Sequence, residues 1–115
     1  MLENENRDIE LVSLRIPTGW IVRWNIFFDV EPVIENGKII DNYNDSEDLL
    51  WLQSYIPEDK KEHWQEWHID LGWYHNEAFR LVLFEHDRDH VIKTFESQSI
   101  GDIQEKINEW LKNLS

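Results

Sequence analysis

Cysteine is absent from the 115 residues, so the chain has neither a disulfide framework nor a thiolate metal site. No apolar run approaches the roughly 18 residues of a membrane-spanning helix. The four glycines do not cluster, which excludes a Gly-rich phosphate loop. A Walker-type lysine, a nucleophile elbow and a Ser-x-x-Lys motif are missing as well. Basic residues are few: 11 Lys and Arg face 24 Asp and Glu, a formal charge of -13. Such a field repels phosphate backbones and anionic lipid headgroups, and it attracts cationic surfaces. The expectation is therefore a basic protein partner, with no nucleic acid and no membrane. The start, Met1 to Asn6, is acidic and polar, unlike the basic and then apolar start of a secretory leader. A cytoplasmic, non-enzymatic protein without cofactor or metal is the simplest expectation.

What is present is aromatic. Aromatics make up 13% of the chain and include seven Trp, and hydrophobic residues reach 41%. Each ring removes about 150–250 Å² from water when buried, so the chain can fill a core despite its charge. Disordered acidic chains are poor in aromatics. The length fits one domain over residues 1–115, with 1–8 a frayed polar lead.

Period-two alternation dominates. Ile9 to Ile16 reads as a short strand closed by the turn signal Pro17-Thr18-Gly19. From Trp20 to Val30, the residues Trp20, Val22, Trp24, Ile26, Phe28 and Val30 alternate without a break and predict one buried strand face. Pro32 closes that strand. Asn36-Gly37 between apolar pairs is the strongest short hairpin signal, because both turn residues need positive φ. Between Asn44 and Gln53 two readings compete. One is a short helix capped by Asp45 or Ser46, and the other is a buried strand over Leu49 to Ile56; a helical or irregular start running into a strand combines them. Pro57 ends the segment, and a charged loop follows to Glu66. Trp67 to Tyr74, Ala78 to Glu85 and Val91 to Phe95 then alternate as strands separated by short turns, an antiparallel meander.

The last element is helical. Ser99 is placed as N-cap, with Asp102 at the capping-box position. Ile100, Ile103, Ile107, Trp110, Leu111 and Leu114 fall on one stripe. The predicted fold class is α+β: an antiparallel sheet of about four to six strands with this amphipathic helix packed on one face.

Three groups carry candidate function. The first is an acidic ledge of Asp29, Glu31, Glu35, Asp41, Asp45, Glu47 and Asp48 against the single base Lys38, a local charge of -6. Trp51 adjoins it, and Trp is enriched at interface hot spots. These eight residues are the predicted partner-binding set. The second is an alternative ligand-binding group, Trp64, Trp67, His68 and Tyr74, which offers rings for a small molecule or peptide. The third is His86 and His90 with Asp87 and Asp89. This spacing suits a metal only on a helix, and here it spans a turn of ordinary surface residues. Of the tryptophans, Trp20, Trp24, Trp67, Trp73 and Trp110 fall at core positions of the predicted elements.

The run from Trp24 to Pro32, then Glu47-Asp48-Leu49-Leu50, Ile69 to Tyr74, and Phe95 to Ser99 leading to Glu109-Trp110-Leu111, resembles small immunity proteins of bacterial polymorphic toxins of the Rhs or wall-associated type. The resemblance implies a cytoplasmic acidic protein that neutralises a cognate toxin domain, often a basic nuclease, by binding it tightly. It carries over no catalytic residues. Interface positions vary within such families, so it assigns none here.

Overall fold

The computed structural model of the protein describes residues 9–55 and 66–114. The expected lead over residues 1–8, the charged stretch from Pro57 and the Trp64 side chain lie outside the described residues. The described elements, in chain order, are β1 (Trp20–Asn25), β2 (Val33–Glu35), β3 (Lys38–Asp41), β4 (Leu50–Ser54), β5 (Trp67–Tyr74), β6 (Ala78–Glu85), β7 (Val91–Ser97) and α1 (Ile100–Leu114). The class is α+β. A five-stranded antiparallel sheet runs in the order β1-β4-β5-β6-β7, and β2–β3 forms a separate hairpin. The helix packs against the sheet. Among the described residues, no helix is long and apolar enough to cross a membrane.

Alternation builds the core. Leu50 pairs with Leu71, which pairs with Leu81, and Leu52, Ile69 and Leu83 form the next row. With Trp73 and Phe79 these side chains are all 3% exposed or less. Onto that face α1 lays Ile100, Ile103, Ile107, Trp110 and Leu111, the stripe predicted from helical spacing. Burial of each such side chain contributes about 1.5–3 kcal/mol before chain entropy is counted.

The helix start is capped more fully than the sequence indicated. Ser99 Oγ accepts the Asp102 N–H at 3.2 Å, as an N-cap should. Asp102 does not reach back to the Ser99 N–H itself; the Ser97 hydroxyl stands between them, donating to Asp102 at 3.0 Å and accepting the Ser99 N–H at 3.0 Å. Glu31 Oε1 accepts the Ile100 N–H at 3.1 Å. A carboxylate there satisfies an orphan donor and opposes the positive end of the helix dipole.

Two predicted strands are corrected. The strand expected to continue to Val30 stops at Asn25, whose Oδ1 accepts the Phe27 N–H at 3.0 Å and turns the chain locally. A bulge between Val22 and Trp24 breaks the register beforehand. As a result Phe27, assigned to the outer set, is fully buried, whereas Val22 is 47% and Trp24 50% exposed. The segment expected as a strand from Ile9 to Ile16 makes a single bridge, Leu11 to Phe28. It then crosses the helix instead, where Gln104 Nε2 donates to the Ser13 carbonyl and the Arg15 N–H donates to Asn108 Oδ1.

The hairpin is as short as predicted, with Asn36 at φ 53° and Gly37 at φ 78°. It belongs to the 26–49 excursion that joins β1 to its neighbour β4. Asn44 anchors that excursion from within: its side chain accepts the Phe28 N–H and donates to the Phe28 carbonyl, each at 2.8 Å.

Candidate functional site

The sheet face turned away from α1 carries the second side-chain set of each strand. Trp24 pairs with Trp51, Trp51 with Asp70, and Asp70 with Val82. The parallel row is Gln53, His68 and Phe84. This pairing gathers Arg23, Trp24, Asp48, Leu50, Trp51 and Asp70 around a groove of about 360 Å³, and Arg88 joins them from the β6–β7 turn. The two indole rings are 50% and 39% exposed.

Each wall is fixed by hydrogen bonds. The Trp24 indole N–H donates to the Asp48 carbonyl at 2.8 Å. The Trp51 indole N–H donates to His68 Nδ1 at 3.0 Å, and His68 Nε2 lies 2.6 Å from Glu66 Oε2. His68 stacks on Phe84 with centroids 4.6 Å apart and planes 5° apart. Asp70, almost fully buried, takes an ion pair from Arg88 Nη2. Guanidinium groups meet rings twice: Arg23 lies over Trp51 at 5.9 Å and Arg88 over Phe84 at 5.3 Å. Arg23 is itself oriented by Gln53, at 2.7 Å.

Burial acts on one acid of the groove, Asp70. Burial pushes the Asp70 carboxyl above its ordinary value; Arg88 opposes that rise, and the charge of Asp48 adds to it. Burial also raises the Tyr74 hydroxyl, with Asp70 and Glu47 adding to the effect. At the β6–β7 turn His90 Nδ1 and Asp87 Oδ1 pair at 2.9 Å. That bond raises the His90 ring and is the first cause lowering Asp87, which also accepts the Asp89 N–H. Among the described residues no three His, Asp or Glu side chains converge as a metal site requires.

The predicted partner-binding set divides. Asp48 and Trp51 meet at the groove. Glu47 lies beside it, its backbone pressed on Gly72 of β5. Glu35 and Asp41 sit on the β2–β3 hairpin, and Asp29 and Asp45 elsewhere on the 26–49 excursion, all exposed. Glu31 is turned to the helix start. Of the seven acids, Asp48 alone lines the groove with Trp51, and the others are spread along the 26–49 excursion. The described members of the alternative ligand-binding group, Trp67, His68 and Tyr74, are not brought together either. Trp67 packs against the core on one side of β5, and His68 points to the other. His68 and Tyr74 share a face but stand at opposite ends of the strand, roughly 20 Å apart by strand rise.

Sequence reasoning missed Arg23, Trp24, Asp70 and Arg88. Trp24 was placed in the core by an alternation that the bulge at Val22 to Trp24 interrupts. Asp70 had a signal, since it is a charge inside an otherwise apolar strand. Arg88 had none until the turn was placed beside β5. No family model, curated protein or solved structure matches the chain.

Proposed function

We propose that the chain is a non-enzymatic binding protein that docks a basic protein partner on the sheet face around the Trp24–Trp51 groove. One observation carries this reading: two half-exposed indole rings are paired across β1 and β4, with the Asp48 and Asp70 carboxylates beside them. Rigid Trp anchors flanked by charge are what interface hot spots use. The surplus of 13 negative charges selects a cationic partner and speeds its approach. The resemblance to immunity proteins makes that partner a toxin domain, neutralised by covering its active or substrate-binding surface.

The test is calorimetric titration against the basic toxin domain encoded by the neighbouring gene. Binding should weaken with salt, and Trp24→Ala with Trp51→Ala should remove about 2 kcal/mol or more of affinity each. Full affinity in the double variant would end this assignment of the docking face.

A further inference from the structure

The groove already holds a guanidinium of its own. Arg88 reaches in from the β6–β7 turn with a side chain 68% exposed, while the Asp70 carboxylate that it meets is only 9% exposed. The anionic group is thus fixed in the sheet, and the cationic group belongs to an exposed turn. Arg88 lies over Phe84, and Arg23 lies over Trp51, so ring faces on both sides of Asp70 already accept planar cations. Among the described residues the Asp48 carboxylate, at the same groove, takes no hydrogen bond or ion pair. A second cation at this site would meet the Asp48 carboxylate, the Asp70 carboxylate paired with Arg88, and two half-exposed indoles.

The geometry points to a recognition site for an arginine side chain of the partner, whose guanidinium competes with Arg88 for Asp70 between Trp24, Trp51 and Asp48. Arg88 is the internal stand-in that keeps Asp70 paired while the partner is away. An unpaired buried carboxylate is costly, so a guanidinium of either origin stabilises the same arrangement. Guanidinium is preferred over ammonium because its planar fork stacks on rings and bonds carboxylates bidentately. This inference rests on the docking face proposed above.

The probes are N-acetylarginine amide and ethylguanidinium, with ethylammonium as control, followed through the Trp24 and Trp51 indole N–H signals by NMR. The wild type should bind the arginine derivative weakly. Arg88→Ala should bind it about tenfold or more tightly, because the internal competitor is gone. Adding Asp70→Asn to that variant should abolish the gain. Arg88→Gln, which keeps a hydrogen-bonding side chain over Phe84, serves if Arg88→Ala does not hold its fold. Unchanged affinity in both Arg88 variants, or equal binding of ethylammonium, would overturn the arginine assignment. Loss of partner binding in the Trp24 and Trp51 variants alongside silent guanidinium titrations would leave the docking face standing and remove this site alone.

Discussion

The Trp51 indole N–H points at His68 Nδ1, 3.0 Å away. An indole nitrogen only donates, so Nδ1 must hold a lone pair and the ring proton must sit on Nε2, facing Glu66 at 2.6 Å. The tautomer of a buried histidine is thereby fixed by a half-exposed tryptophan. Long-range ¹⁵N NMR of the imidazole should show Nε2 protonated and Nδ1 bare. Replacing His68→Phe keeps the stack on Phe84 but strands both polar neighbours, and should cost about 2 kcal/mol in denaturant unfolding. An Nδ1-protonated ring in solution would contradict the arrangement.

A side chain at Gly72 has no room. A Cβ there would overlap the Glu47 carbonyl oxygen and lie 2.8 Å from both the Glu47 carbonyl carbon and the Tyr74 ring. Backbone cannot swing aside as a flexible side chain can, because Ser46 and Leu49 on either side are hydrogen-bonded to β5. Gly72→Ala should therefore destabilise by about 3 kcal/mol, read from urea unfolding. It should also shift the Trp24 indole signal, since Asp48 carries the carbonyl that this ring bonds.

Glu31 separates fold from function within the acidic stretch. Although the residue is exposed, its carboxylate accepts the Ile100 N–H and caps the helix. Glu31→Ala should lower stability by about 1 kcal/mol and leave partner affinity unchanged. Asp48→Asn should do the reverse, weakening the partner with little effect on unfolding. A pair of titrations and a pair of melts distinguish the two roles.

The fold was legible where alternation ran unbroken and the tertiary environment agreed with it. Trp67 to Tyr74, Ala78 to Glu85 and the helix stripe from Ile100 matched, because the apolar set of each met the shared core along its length. Trp20 to Val30 alternated equally well but was cut by Asn25, whose side chain bonds the backbone two residues on. That residue type was the available warning. The groove was largely illegible for a different reason. Arg23, Asp48, Asp70 and Arg88 come from four separate segments, and only strand register and a turn bring them together. Net charge gives the sign of the surface field, but it carries no information on which strands and turns meet at the groove.

Asp70 gives the groove a pH signature. Burial raises its carboxyl above the 3.8 of an exposed aspartate, and Arg88 is the largest influence opposing that rise. The folded state therefore holds this proton to higher pH than the unfolded chain does. Stability contributed by the group is full below pH 3.8, falls as pH climbs through the folded value, and is level above it. Removing Arg88 takes away the opposing influence, so Arg88→Ala should move the Asp70 titration further up and extend the falling limb. Carbon-detected NMR of the Asp70 carboxyl checks the first effect, and urea unfolding across the acidic range checks the second. A bound guanidinium should reverse both shifts in Arg88→Ala, since it restores the charge that the variant lost. An Asp70 titration that moved down on removal of Arg88 would show that the pair does not govern this carboxyl.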